Sequence, residues 1–294
     1  MAAHHDQRPT IPPSVPAESA LTKLSPAQKR LGRQLPYGHG AYQLLHIIGA
    51  VIAVYNYGLH YESFRLTAGV MDHWCRRPDS IRNSAWTSGN SWPYPWTSKY
   101  GNNIVSHWNL VCDRRWLIDV ARLVYAAASM ASLPVVGALA DSVGRKAVLF
   151  LTIPVVLISG AASAVPNDFQ FFVAVRAVVS ASTSALVVPM YALIYELAPI
   201  EKYPLYIIII ALSALMLSPI TLFAAQLVKA GWAALQLILM IPTCLLLLLY
   251  YTIDESPSWL LETGNVKEAE RIALRAARMN KVSPEDCRDL MAYQ

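Results

Sequence analysis

The stretch Gly137-Ala138-Leu139-Ala140-Asp141-Ser142-Val143-Gly144-Arg145-Lys146 decides how this chain folds, because of what flanks it. Before it, Trp116–Ala138 is an apolar run long enough to cross a bilayer as a helix, and after it Ala147–Val165 is another. The polar link Leu139–Lys146 leaves room only for a turn between antiparallel neighbours. Arg145 and Lys146 hold that turn on the cytoplasmic side, since short Lys/Arg-rich loops resist translocation. Gly144 suits the tight turn and Gly137 a close approach of helices. Asp141 suits pairing with a basic group or a helix N-terminus.

Working outward, four more apolar runs appear at Ala41–Tyr61, Phe169–Met190, Leu205–Val228 and Trp232–Tyr251. Pro166-Asn167-Asp168, Glu196–Lys202 and Lys229-Ala230-Gly231 separate them. Each run is near the ~20 residues a spanning helix needs. Helices are required because lipid offers no partner to a free N–H or C=O. The lipid bilayer is therefore the first expected partner. Composition agrees: 55% of the 294 residues are hydrophobic and 15% charged, where a soluble domain carries about 25% charge. The net charge of +5 forms no basic stripe on a polar domain, so nucleic acid is not an expected partner.

Three regions follow. Residues 1–40 are a polar, Pro-punctuated and mostly disordered tail with no secretory signal; residues 41–251 are a six-span bundle; residues 252–294 are a charged helical segment. Glu62–Arg115 is a large loop on the extracellular side. With both termini cytoplasmic, the tail, the two inner links and the C-terminal segment hold five, two, one and six Lys/Arg, and the two short outer turns hold only Lys229. The large loop carries seven, which its length tolerates, since long loops translocate with weak dependence on charge. Near the C-terminus Ala269, Ile272, Ala273, Ala276 and Met279 form one apolar stripe, predicting a helix over Lys267–Asn280 that lies against the membrane or another cytoplasmic surface.

Four stretches carry a resemblance. The 137–146 link resembles the G-x-x-x-D-x-x-G-R-K loop of the major facilitator superfamily. Ile104-Val105-Ser106-His107-Trp108-Asn109-Leu110-Val111-Cys112-Asp113, with Trp116-Leu117-Ile118-Asp119 after it, is similar to the I-V-x-E-W-N-L-V-C-D…W-L segment of its organic cation, organic anion and carnitine transporters, with His107 in place of the acid. Asp254-Glu255-Ser256-Pro257-Ser258-Trp259-Leu260-Leu261 resembles their P-E-S-P-R-W-L-L segment, with Asp254 and Ser258 as departures. Arg176 and Glu196 match an R…E pattern, whose next Arg is missing here. The resemblance implies an all-α membrane protein: the six-helix N-terminal bundle of a major facilitator fold with a large extracellular loop. It also implies secondary-active or facilitative transport of small organic ions across the plasma membrane by alternating access. The family has twelve spans, so the expected partners are a C-terminal half, or a second copy, and a small organic ion. The alternative is a truncated, non-transporting membrane protein that dimerises with or regulates a full transporter.

The candidate conformational-switch residues are Gly137, Asp141, Gly144, Arg145, Lys146, Arg176 and Glu196. Arg176 lies inside its span, where charge is costly and usually functional. It either lines a central cavity and binds an anion or an acidic neighbour, or it snorkels outward. Asp119 and Arg122 share a helix face and read as a local ion pair. Tyr55, Asn56, Tyr125, Ser129 and Tyr191 are candidates for the substrate path, with helix–helix hydrogen bonding as the plainer role. Cys75 and Cys112 are candidates for a disulfide in a loop facing an oxidising space, or else the loop's pairing is altered from the family's. No sequon, no metal-ligand spacing and no phosphate-binding loop is present, so no metal, cofactor or ATP drive is expected. The C-terminal segment holds no nucleophile–base constellation, and no enzymatic activity is expected.

Overall fold

Among the described residues, six helices are long and apolar enough to cross a membrane: α1 Ala41–Thr67, α2 Trp116–Val143, α3 Arg145–Ala162, α4 Phe169–Leu197, α5 Tyr203–Leu227 and α6 Trp232–Thr252. The computed structural model describes residues 37–69, 103–166, 168–228, 231–285 and 287, and among them there is no strand. The chain is an all-helical, multi-pass membrane protein. Each of α2 to α6 carries a proline in its interior: Pro134, Pro154, Pro189, Pro219 and Pro242. Such prolines persist in spans because neighbouring hydroxyls and helices re-satisfy the freed backbone groups.

α1 and α4 form the centre. α4 packs along both α2 and α3, and α1 packs along α5 and α4. α2 and α5 are the least enclosed, with 22% of each window buried against 56% for α1. Their outer surfaces carry Leu123, Met130, Leu212 and Phe223, as lipid-facing surfaces must. At the end of the bundle remote from the α2–α3 link, Phe64, Ile104, Leu110, Phe172 and Trp232 make a second core. Trp108 joins it with its ring 5.0 Å from Trp232 and 5.1 Å from Phe172. A one-turn helix, Ile104–His107, capped by the Asn103 side chain, delivers Trp108 to that cluster. This packing gives the 104–111 segment a reason beyond connection.

Several boundaries differ from the sequence expectation. α1 runs on to Thr67 and absorbs the start of the expected loop, because Ser63 and Thr67 spend their hydroxyls on their own helix (2.7 and 3.1 Å) and Phe64 has a core to enter. α2 continues through Asp141 to Val143, and α4 continues through Glu196 to Leu197. The link therefore shrinks to Gly144 alone. Its φ of +102° lies where only glycine is at ease. At Gly137, a Cβ would meet nothing within 4 Å among the described residues, so the expected close approach is not made by a helix of this bundle.

After α6 the chain turns into α7 Pro257–Glu262, started by Ser256, whose hydroxyl accepts from the Trp259 N–H at 3.4 Å. Gly264, at φ +80°, leads into α8 Val266–Met279. The predicted stripe is real, and it faces the bundle rather than lipid. Ala269, Ile272, Ala273 and Ala276 are sealed into the same core as Ile47, Leu193 and Leu197. Asn280, just past α8, reaches the start of α1: its side-chain amide donates to the Tyr37 carbonyl (3.0 Å) and to Gln43 Oε1 (3.0 Å), and its Oδ1 accepts from the Tyr42 N–H (3.0 Å). The side chain thus caps α1 from the far end of the chain. Asn280→Ala removes the partner of the Tyr37 carbonyl and the Tyr42 N–H, while Gln43 Oε1 keeps the Gly40 N–H at 3.0 Å; it is expected to cost about 1–3 kcal/mol, read as earlier thermal unfolding of the purified chain in detergent. An unchanged midpoint would show that the cap is dispensable.

Candidate functional site

Two polar assemblies occupy the bundle. The first lies at the link end. Gly144 lets α3 begin immediately after α2, so the first N–H groups of α3 need an external acceptor. Glu255 supplies it: Oε1 accepts from the Arg145 N–H at 3.1 Å and Oε2 from the Lys146 N–H at 3.0 Å. A carboxylate at a helix N-terminus also complements the helix dipole. A Cβ on Gly144 would fall 2.5 Å from Glu255 Oε2, so glycine is needed here for space as well as for conformation. The Trp259 indole donates to the Asp141 carbonyl at 2.9 Å, tying α7 to the end of α2.

Arg145 is buried and bridges two carboxylates, with Nη2 3.0 Å from Asp141 and 2.9 Å from Glu196. Thus Asp141, Gly144, Arg145 and Glu196 of the expected switch set do converge. The charge pairing that lacked its second arginine is completed by Arg145 itself. Lys146 sits beside them, 3.9 Å from Asp254 and over the Phe150 ring. Asp254 is buried, accepts from Arg275 at 2.9 Å, and offers its N–H to His46 Nε2 at 3.4 Å. Tyr37 completes the enclosure. Burial, and after it the Glu196 charge, push its phenol above the ordinary range, so it stays neutral. Nearby His39, touching Tyr206 and 3.3 Å from Lys202, is held below the usual histidine range by desolvation and by that ammonium. Sequence reasoning named neither Glu255 nor Asp254 as a partner of the link, nor Asn280 as a cap. The first two stood inside a quoted motif, while Asn280 carried no sequence signal.

The second assembly lies deep between α1, α2 and α4. Arg176 is 2% exposed, so it does not snorkel. Its guanidinium donates to the His60 carbonyl at 2.8 Å and the Ser63 hydroxyl at 3.3 Å, and it lies 5.0 Å from the Tyr125 ring and 5.8 Å from the Phe64 ring. Among the described residues no carboxylate pairs with it, so of the switch set Arg176 stands apart from the link cluster. The remaining candidates divide. Tyr55 bonds Thr221 of α5 at 2.9 Å, and Ser129 bonds Ser184 of α4 at 2.5 Å, so both serve helix packing. Asn56 and Tyr125 are buried beside Arg176's partners, each with an unpartnered polar atom. Tyr191 packs against the core at the link end. Asp119 and Arg122 form the expected local pair at 3.2 Å, exposed on α2. Cys112 is disulfide-bonded, whereas Cys244 is a free thiol; Cys75 lies outside the described residues. No metal-binding cluster exists among the described residues.

Comparison with known proteins places these features. The family profile of the Major Facilitator Superfamily matches residues 116–284. Solute carrier family 22 member 23 of Homo sapiens is 28% identical over 208 residues, covering 71% of this chain and 30% of that protein. The beta-alanine transporter of Drosophila melanogaster is 29% identical over 193 residues (66% of this chain, 32% of that protein), and the organic cation transporter protein of the same organism is 29% identical over 190 residues (63% and 34%). The chain spans about a third of the length of these relatives. The xylose transporter XylE from E. coli, in a partially occluded inward-open conformation, superposes with a TM-score of 0.58 at 17% identity over 86% of this chain and 59% of that one, which is a likeness of fold. With the profile spanning five of its six spans and the second motif's helix at its start, the chain belongs to the major facilitator superfamily.

Proposed function

We propose that this bundle is one half of a secondary-active or facilitative carrier of small organic ions, working by alternating access in a plasma membrane with both termini on the cytoplasmic side. The observation that carries the reading is the ionic latch at the link end, in which Arg145 joins the ends of α2 and α4 while Glu255 joins the start of α3 to the segment after α6. Alternating access needs contacts that hold one end of a bundle in one state and can be exchanged in another. The latch has such a graded build. Glu196 is largely enclosed, whereas the Asp141 side chain, at a similar distance from Arg145, is 75% exposed and its ion pair is therefore the more strongly screened. Asp141 is therefore the member free to change partners when a second six-span bundle moves against this end. The relatives' names, organic cation transporter and beta-alanine transporter, support a small organic ion as cargo. The substrate passes between two bundles, so the second one comes either from a longer chain of twelve spans or from another copy.

Two outcomes test this reading. In proteoliposomes, saturable uptake of a labelled small organic ion is expected from assembled pairs of bundles, separated by native mass measurement, and not from single ones. Assembled chains that bind partners yet never transport would instead establish a regulatory, non-transporting role. Within transporting assemblies, Arg145→Lys keeps the charge but loses the planar guanidinium, whose Nη2 holds both carboxylates while Nη1 donates to the Ala140 carbonyl at 3.3 Å. It is expected to lower the maximal uptake rate about tenfold with little change in half-saturating concentration, since the latch touches no substrate.

A further inference from the structure

Lys202 stands at the head of α5 as a cation with no acid to meet it. It is exposed, and among the described residues no carboxylate forms an ion pair with it, its neighbour Glu201 included. Its ammonium lies instead 3.3 Å from Nδ1 of His39, just ahead of α1. The other nitrogen of that ring, Nε2, bonds the Tyr206 hydroxyl, and the two rings stack at 17° with centroids 5.9 Å apart. Immediately beyond Lys202, α5 exposes Leu205, Ile208, Ile209 and Leu212. That apolar surface marks the hydrocarbon layer, so Lys202 stands at the level of the lipid headgroups.

The hydrogens of this trio have one arrangement. An ammonium cannot accept, so His39 Nδ1 accepts from Lys202. Desolvation, and after it the Lys202 charge, hold His39 below the usual histidine range, so at neutral pH its single ring hydrogen sits on Nε2 and is donated to the Tyr206 oxygen. The Tyr206 O–H hydrogen is then unspent among the described residues, as are two of the three Lys202 N–H groups. The trio therefore offers only donors, beside a full positive charge. A second cation belongs to the same rim. A Cβ on Gly38 would fall 2.7 Å from Val282 Cγ2 and one on Gly40 2.8 Å from Asn280 Oδ1, so His39 and Lys281 ride on abutting segments. Lys281 is exposed and likewise has no acid paired with it among the described residues.

We propose that Lys202, His39 and Tyr206 form a binding site for the phosphate of an anionic phospholipid in the leaflet at the link end, with Lys202 and the Tyr206 hydroxyl donating and His39 aligning the two. A phosphodiester has acceptor oxygens and no hydrogen to give, which matches a site made of donors, and its charge shortens and strengthens the bonds. The acyl chains then lie along the exposed apolar side chains at the start of α5. A phosphatidylcholine headgroup brings its own cation against Lys202 and Lys281, whereas a net negative headgroup does not. Free phosphate satisfies the donors but gains nothing from the apolar surface beside them. The site binds whether or not the chain transports.

The test is native mass spectrometry of the full chain released from detergent micelles, with dioleoyl phosphatidylglycerol, dioleoyl phosphatidylcholine and inorganic phosphate as probes. Phosphatidylglycerol is expected to bind about fivefold more tightly than phosphatidylcholine. Lys202→Gln is expected to abolish that preference. Tyr206→Phe keeps the ring on His39 and loses the outer donor; it is expected to reduce the preference about twofold. Lys267→Gln removes the same charge from the far end of α8 and is expected to leave the preference unchanged, which a diffuse attraction of the whole basic surface would not allow. Because both lipids are compared on one variant, loss of the site equalises them. Equal binding of the two lipids to the unaltered chain, a preference that survives Lys202→Gln, or an equal loss in Lys267→Gln overturns the site. Displacement of phosphatidylglycerol by millimolar inorganic phosphate overturns the lipid assignment and makes a soluble phosphate the ligand.

Discussion

A solvent that offers no hydrogen-bond partner imposes its terms on every polar atom between residues 41 and 252. The backbone meets them by being helical throughout the spans, prolines included. Hydroxyls meet them by folding back on carbonyls of their own helix, as Thr152, Ser159, Ser182 and Thr183 do at 2.6–2.9 Å. Where that device is insufficient, helices satisfy one another: Ser180 of α4 donates to the Tyr125 carbonyl of α2 at 2.6 Å, and Ser218 of α5 to the Tyr55 carbonyl of α1 at 3.2 Å. Such bonds explain why small polar residues concentrate on α4, the helix with three neighbours along its length. They also make the exceptions informative, since an unpartnered polar atom in this setting is expensive and calls for a reason.

The two polar assemblies answer the same constraint differently. At the link end, water is near and charges are numerous, so the solution is a network in which Arg145 and Glu255 each serve more than one partner. Surface pairs such as Glu268 with Arg271, where the side-chain hydrogen bond lowers the carboxyl pKa, add little to stability beside it. The network binds together parts of the chain distant in sequence: the end of α2, the end of α4, the segment after α6 and, through Asn280, the start of α1. In the middle of the bundle there is one cation, and aromatic faces and carbonyl dipoles shield it incompletely. The first arrangement is a network of paired charges; the second is a single buried charge held by neutral dipoles and ring faces.

Much of this was legible in the residues. The six runs, the tight turn at Gly144, the α8 stripe and the Asp119–Arg122 pair follow from hydropathy, charge and spacing, which are local quantities. Helix ends were less legible. α2 and α4 each outrun their apolar runs, because their last turns are held by Arg145 and Trp259 rather than by composition. Gly137 was read as a site of close approach, yet small residues mark contacts only where a neighbour arrives, and among the described residues none lies within 4 Å of a Cβ there. Likewise Tyr55 and Ser129 were indistinguishable from Asn56 and Tyr125 in sequence. Only packing showed that the first two meet hydroxyls on α5 and α4 while the others keep an atom unspent.

By itself, then, the sequence determined that the chain spans a membrane six times, which end of α2 turns into α3, and which superfamily it joins, since a twenty-residue apolar length and a glycine-bounded charged turn are properties of contiguous residues. Tertiary structure alone decided that Glu255 caps α3, that Asn280 caps α1, that α8 buries its stripe against the bundle, and that Arg176 is enclosed with no carboxylate paired to it among the described residues. Each of those depends on atoms brought together across many residues of chain, where a hydrogen bond is set by a distance of about 3 Å and not by any local pattern.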